Sequence, residues 1–240
     1  MSSSPRDDLL PGDFAKPSSV FVFGTNRPLL KWVTLALLAP YAARAYWTDV
    51  RLDGEALDPL DPLALHAVPD DHVHVVHPRE MERNEQEARN VDAAAATMLR
   101  STEVPESLRQ ISEFLGLPAQ SRARIASVAV EGQPAIMIVS NAHHFVGIYP
   151  RESVGPIIHA IVDSGVCLFV LWTGTPPPLR SVFDVVLHVE GDAVHWREAT
   201  LQCEQGISTG PLGPGKACRL AELPPIVRVL ERALPETPER

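Results

Sequence analysis

An α/β domain built on a mostly parallel sheet is the fold class this sequence predicts, and three observations predict it. Short apolar runs, Ser19 to Phe23 (SVFVF), Ala135 to Val139 (AIMIV) and Val166 to Trp172 (VCLFVLW), are continuous rather than alternating, as strands buried on both faces are. Longer segments with helical spacing separate them, which is the order that gives parallel strands joined by helical crossovers. The apolar fraction is 45% and the charged fraction 21%, ordinary for a globular chain, so disorder and fibrous repeats are excluded for its bulk.

The 240 residues suffice for one substantial core. A single domain over residues 18–234 is expected, after a polar, proline-bearing leader over 1–17 and before a frayed tail over 235–240. Ser19 to Phe23 is the first strand, ended by Gly24, and Leu29 to Ala45 the first helix. Tyr46 to Leu52 (YWTDVRL) is the second strand, and His72 to Val76 the third, after a loop with repeated Asp-Pro. Glu85 to Arg100 and Pro105 to Leu115 read as helices, the second with proline at its first turn and Gly116 at its end. Ala123 to Val130 is ambiguous between a helix end and an edge strand. Ala135 to Val139 is a central strand, Ser153 to Asp163 a helix and Val166 to Trp172 another buried strand. Val182 to Val189 and Ala193 to Thr200 form a hairpin around Glu190, Gly191 and Asp192, and Pro224 to Leu234 closes the chain as an amphipathic helix.

Lysine and arginine number 21 against 30 acids, a formal charge of −9 that opposes attraction to nucleic acid and anionic membranes. The scatter of Arg109, Arg122 and Arg124 reads as a solvated helix surface. Cys167, Cys203 and Cys218 are odd in number and show no CxxC spacing, so neither a disulfide framework nor a cysteine zinc site is indicated. The longest early apolar stretch, Leu29 to Ala45, is broken by Lys31, Pro40 and Arg44, and no secretory leader opens the chain. A cytoplasmic protein with no membrane span is the expectation.

In sheets of this kind ligands bind at the carboxyl ends of the strands, so the turns after Phe23, Val139 and Trp172 are where chemistry is sought. A phosphate loop, GxxxxGK[ST], needs inward N–H groups, a lysine for the phosphates and a hydroxyl for magnesium. The turn here is Gly24-Thr25-Asn26-Arg27-Pro28-Leu29-Leu30-Lys31-Trp32. Its lysine is displaced by one place, Leu30 stands where the second glycine belongs, Trp32 replaces the hydroxyl residue and Pro28 lacks an N–H. After Val139, where a magnesium-holding aspartate is needed, stand Ser140, Asn141, Ala142, His143 and His144. On extended chain the two histidines would point opposite ways, so they do not readily serve one centre. His72 and His74 share a strand face with His77 following, but two metal ligands at i and i+2 need a third from elsewhere that nothing nominates, so a polar sheet face or edge is the reading over a transition-metal site. No nucleophile motif is present. Gly206 to Gly215 reads as a flexible loop.

With SVFVFGTNRPLLKW as first strand and turn, YWTDVRL as second strand, AIMIVSN in the metal-binding strand position and VCLFVLWTGTPPPLRSVFDVVLHVEG near the end, the chain resembles degenerate relatives of the RecA-like, KaiC-type P-loop ATPases over about residues 18–205. The resemblance implies a three-layer twisted sheet with helices on both faces and a C-terminal hairpin. It implies a vestigial nucleotide site at Gly24, Thr25, Asn26, Arg27 and Lys31, and ring or filament assembly in active members. With both the Walker A and Walker B positions degenerate, no catalytic residue or metal ligand is carried over, and neither ATP nor magnesium is expected as a cofactor.

Three functions follow as expectations. One is a catalytically inactive, RecA-like regulatory or assembly module that binds a protein partner or itself, with Trp32, Trp47 or the Pro176 to Pro178 loop as candidates for its contact surface, although each taken singly reads as packed. Another is a nucleotide-binding NTPase or switch with a divergent phosphate loop. The third is a small-ligand sensory module using Ser140, Asn141, His143 and His144 as polar contacts in the cleft.

Overall fold

The computed structural model describes residues 17–39, 41, 45–77, 135–145, 155, 158–159, 161–163, 165–206 and 213–234. The helices expected over Glu85 to Arg100 and Pro105 to Leu115, the segment Ala123 to Val130, both termini and most of Gly206 to Gly215 lie outside those residues.

Among the described residues eight strands form one sheet: β1 (Ser19–Gly24), β2 (Ala45–Val50), β3 (Val73–Val76), β4 (Ala135–Ser140), β5 (Val166–Thr173), β6 (Val185–Glu190), β7 (Thr200–Gln205) and β8 (Ala217–Arg219). Their order is β3-β2-β4-β5-β1-β6-β7-β8. The first six pair in parallel, and β7 and β8 extend the sheet antiparallel. The fold is therefore α/β with a mixed, mostly parallel sheet, and β1 lies in its interior.

The continuous apolar strands are explained by two cores, one on each face. Val20, Val22, Ile136, Ile138, Cys167, Phe169 and Leu187 point to one side, where α1 (Arg27–Leu38) and α2 (Pro224–Ala233) pack. Phe21, Phe23, Met137, Val139, Leu168 and Val186 point to the other, where they meet Ile158 and Ile161. Residues 158–159 and 161–163, within the segment expected to be helical, are helical. Alternate residues of one strand thus enter different cores, and both sets must be apolar.

Several boundaries differ from the sequence expectation. The first helix begins at Arg27 and ends at Leu38 rather than running to Ala45, with Pro40 just beyond its end, and Ala45 opens β2, which stops at Val50 rather than Leu52. His72 closes a 3₁₀ turn (Asp70–His72) and is not part of β3. The second hairpin strand is Thr200–Gln205, not Ala193 to Thr200, and β8 was not anticipated. Residues 191–199 instead form a loop whose turn is set by Asp192, which accepts from Val194 N and His195 N at 2.8 Å each. Trp32 and Trp47 are 4% and 1% exposed, so they are core residues and not a contact surface.

At the opposite end of β1 from Gly24, Asp184 locks the strand. Its carboxylate accepts from Ser19 N (2.8 Å) and Ser19 Oγ (2.9 Å). This fixes the entry of β6 beside β1.

Candidate functional site at the carboxyl edge of the sheet

Only Thr25 and Asn26 separate β1 from α1. Asn26 is the N-cap: its side chain accepts from Leu29 N at 2.9 Å and its carbonyl from Leu30 N at 3.1 Å. Pro28, in the first turn, brings no N–H. Two of the donors a phosphate cradle would aim at its anion, Leu29 N and Leu30 N, are thus spent inside the helix start, and a third is missing at Pro28. Asn26→Ala should cost about 1 kcal/mol, the usual worth of such a cap, read as a lowered urea midpoint at unchanged slope.

Gly24 ends β1 in close backbone contact with β6. A Cβ there would overlap Val189 O and sit 3.2 Å from Leu30 Cδ2. Its carbonyl also accepts from Gly174 N at 2.8 Å, which joins the ends of β1 and β5. The glycine is needed for strand packing.

Lys31 lies more than one helical turn past the cap and faces the interior. Its Nζ donates to Asp49 Oδ1 (2.8 Å) and Asp61 Oδ2 (2.7 Å), with all three side chains at most 1% exposed. Asp49, near the end of β2, also accepts from Arg51 Nε at 2.6 Å, Asn141 Nδ2 at 3.1 Å and the hydroxyl of Ser140. Ser140 Oγ in turn accepts from Trp47 Nε1 at 2.9 Å. Burial pushes the Asp49 carboxyl upward, but Lys31 and the hydrogen bonds from Lys31, Ser140 and Arg51 outweigh it and hold the carboxyl below its ordinary range. Asp61 belongs to the β2–β3 connection and also accepts from Leu63 N at 2.9 Å. Beside it, Leu60 O accepts from Trp32 Nε1 at 2.7 Å. The connection is therefore fastened to α1 through the displaced lysine and the tryptophan that stands where a phosphate loop has its magnesium-binding hydroxyl.

The turn after β4 is where two strands meet chemically. Asn141 has φ of 56°, a left-handed conformation that asparagine tolerates better than most residues. Its amide nitrogen donates to Val50 O (3.0 Å) and Asp49 Oδ1, two acceptors, so the amide orientation is fixed and Oδ1 points the other way. Ala142–Phe145 is a 3₁₀ turn, not extended chain, and the His143 and His144 rings lie 4.1 Å apart. The expectation that they point opposite ways is corrected: the tight turn puts both on one side.

His144 Nε2 is 3.2 Å from Glu55 Oε2, close enough for a charge contact but outside hydrogen-bond angles. Glu55 also pairs with Arg27 and accepts from Leu52 N at 3.0 Å. Burial raises the Glu55 carboxyl, yet the Leu52 N–H and Arg27 outweigh it and leave it below the ordinary range. His143 is pushed down to about 4, first by burial and then by repulsion from His144 and Arg27, against a smaller attraction from Glu55. Burial likewise lowers His144.

A histidine with a depressed folded pKa takes up its proton more readily when unfolded, so the cost of His143 to stability grows as pH drops from about 6.5 and is complete near 4. Allowing for partial solvent screening, the expected loss at His143 is about 1–2 kcal/mol. Urea midpoints across that range should show the slope, and His143→Phe should reduce it, leaving the smaller part that His144 contributes.

The residues singled out in sequence thus divide. Arg27, Ser140, Asn141 and His144 join one polar network, and Lys31 joins it from below through Asp49. His72 stands apart, with Nδ1 3.0 Å from Ala45 O and its ring stacked on Tyr46 at 5.2 Å. His77 Nδ1 is 3.2 Å from Arg51 O and 3.6 Å from Asp53. The side chain of His74 lies outside the described residues. Among the described residues no group of three or more His, Cys, Asp or Glu side chains is arranged to hold a metal ion. Asp49, Asp61, Glu55 and Arg51, which organise the network, were not singled out. A charge near the end of an otherwise apolar strand, as in YWTDV, was the available signal for Asp49.

The chain matches no protein-family model, and no curated protein resembles it in sequence. Among the described residues no helix is long and apolar enough to cross a membrane.

Proposed function

We propose that this chain is a RecA-like scaffold that does not hydrolyse nucleotide and acts as a regulatory or assembly module, binding a second copy of itself or a partner ATPase. The observation that carries this reading is Lys31, whose charge is consumed by Asp49 and Asp61 inside the core. A cation so placed cannot neutralise a phosphate without taking the shared lysine from two buried carboxylates, which leaves Asp61 without its cation and Asp49 with Arg51 alone. The short, self-capped turn at Asn26 adds to it, and the parallel sheet with β1 in its interior supports the scaffold part. The alternative, an NTPase or switch with a divergent loop, would need another cation; Arg27 is the nearest on the turn, and it is paired with Glu55.

Sedimentation velocity on the full chain, purified under native conditions, tests the partner-binding part. A concentration-dependent oligomer, or a stoichiometric complex with one defined protein, is expected. A strict monomer at all concentrations with no stoichiometric companion overturns it.

A further inference from the structure

Lys31 Nζ stands between two carboxylates, 2.7 Å from Asp61 Oδ2 and 2.8 Å from Asp49 Oδ1, and none of the three side chains is more than 1% exposed. Ser140 and Asn141, which donate to Asp49, are themselves 0% and 3% exposed. An amine held against a carboxyl group with water excluded is the reactant pair of an amide bond.

The two carboxylates are held differently. Asp49 accepts from Arg51 Nε, Ser140 Oγ and Asn141 Nδ2 as well as from Lys31, and against the upward push of burial Lys31, Ser140 and Arg51 keep it ionised. It is equipped to act as a base. Asp61 accepts from Lys31 at Oδ2 and from Leu63 N at Oδ1, the latter at 2.9 Å, so one oxygen faces the amine and the other faces a backbone donor. Charge also distinguishes the two. Lys31 and Arg51 match Asp49 and Asp61, and an amide between Lys31 and Asp61 would remove one charge of each sign and leave Asp49 paired with Arg51. Two ions that are costly to keep out of water would thereby become one neutral group.

We infer that Lys31 and Asp61 form a modification site at which the chain cross-links itself, joining Lys31 Nζ to Asp61 Cγ in an amide with loss of one water and with Asp49 as the proton-transferring base. One Nζ proton passes to Asp61 Oδ2, and the freed amine lone pair forms the N–C bond at Cγ. Asp49 Oδ1 takes a second Nζ proton, while the charge that develops on Asp61 Oδ1 faces the Leu63 N–H. The C=Oδ1 bond then re-forms, the Cγ–Oδ2 bond breaks, and Oδ2 leaves as water with the proton returned by Asp49. No oxidant, reductant or cofactor is consumed. Well-oriented groups in one molecule reach effective concentrations of about 10⁵–10⁸ M, which offsets the tendency of water to reverse the bond. The ion-paired cluster is the reactant and the state of the freshly folded chain; the amide accumulates as that chain ages. It ties α1 to the β2–β3 connection across 30 residues of sequence and does not depend on partner binding.

The test is the intact mass of the folded full chain followed over days at neutral pH, with peptide mapping of any lighter species. A growing species one water lighter is expected, with no tryptic cleavage after Lys31 and a branched peptide that joins the segments holding Lys31 and Asp61. Asp61→Asn should form the same link with loss of ammonia in place of water. Asp49→Asn, checked as folded by circular dichroism, should slow the reaction by about 100-fold or more. An unchanged rate in that variant overturns the role of Asp49. Absence of any species one water lighter overturns the cross-link itself. A water loss that maps to Asp53 and Gly54 and yields to hydroxylamine also overturns it, since that is a succinimide.

Discussion

Lys31→Met destabilises the protein by about 3–5 kcal/mol in buffer free of nucleotide, because it leaves Asp49 and Asp61 buried with their shared cation gone. Against a total stability of about 5–15 kcal/mol this is a large fraction, and it should appear as a matching drop in urea midpoint. Methionine keeps most of the lysine stem volume, so lost packing accounts for little of the effect. The double variant Lys31→Met, Asp61→Leu should recover at least half of the loss. In that variant Asp49 retains Arg51, Ser140 and Asn141, and no carboxylate is left without a partner. A lysine reserved for a ligand's phosphate would behave oppositely, since its removal in the absence of ligand relieves an exposed charge and costs nothing.

Gly24→Ala carries the second large effect, about 3 kcal/mol or more. The added Cβ meets the Val189 carbonyl of β6, which is backbone and cannot rotate aside, so β1 and β6 must separate at the middle of the sheet. The measurement is again equilibrium unfolding without nucleotide. A glycine kept only for close approach to a ligand would tolerate alanine in that assay. Together the two variants ask whether the glycine and the lysine that resemble a phosphate loop serve the fold.

The strands were legible because each buried strand is a continuous apolar run, and both faces of the sheet demand one. β1, β4 and β5 fall within a residue of the expected runs. The first helix was overextended because Ala42, Ala43 and Ala45 continue its composition past Pro40, and composition does not mark where β2 takes over. The hairpin was misplaced for a related reason. Ala193, Trp196 and Ala199 are 2–3% exposed, so the loop over residues 191–199 supplies core side chains and looks apolar enough to be a strand.

The candidate site was half legible. Ser140, Asn141, His143 and His144 stand out because they follow a central strand. The carboxylates that organise them do not: Lys31 meets Asp49 from 18 residues away and Asp61 from 30, and Asn141 meets Asp49 from 92. No periodicity links such positions, since they are joined by the crossover from β1 to β2 and by the pairing of β2 with β4. The sequence shows a lysine out of place in a motif. The structure shows which carboxylates occupy it.

Thermal stability with and without Mg-ATP tests most directly whether Lys31 belongs to the core and not to a phosphate. Nucleotide bound only by the native state at about 100 times its dissociation constant adds about 2.7 kcal/mol, or roughly 5–10 °C in Tm for a chain of this size. The arrangement of Lys31, Asp49 and Asp61 predicts a change of under about 1 °C at millimolar Mg-ATP, a bound set by those same relations. A shift of several degrees that disappears on exchanging ATP for adenosine would contradict it, and would mean that the cluster opens to release its lysine to phosphate.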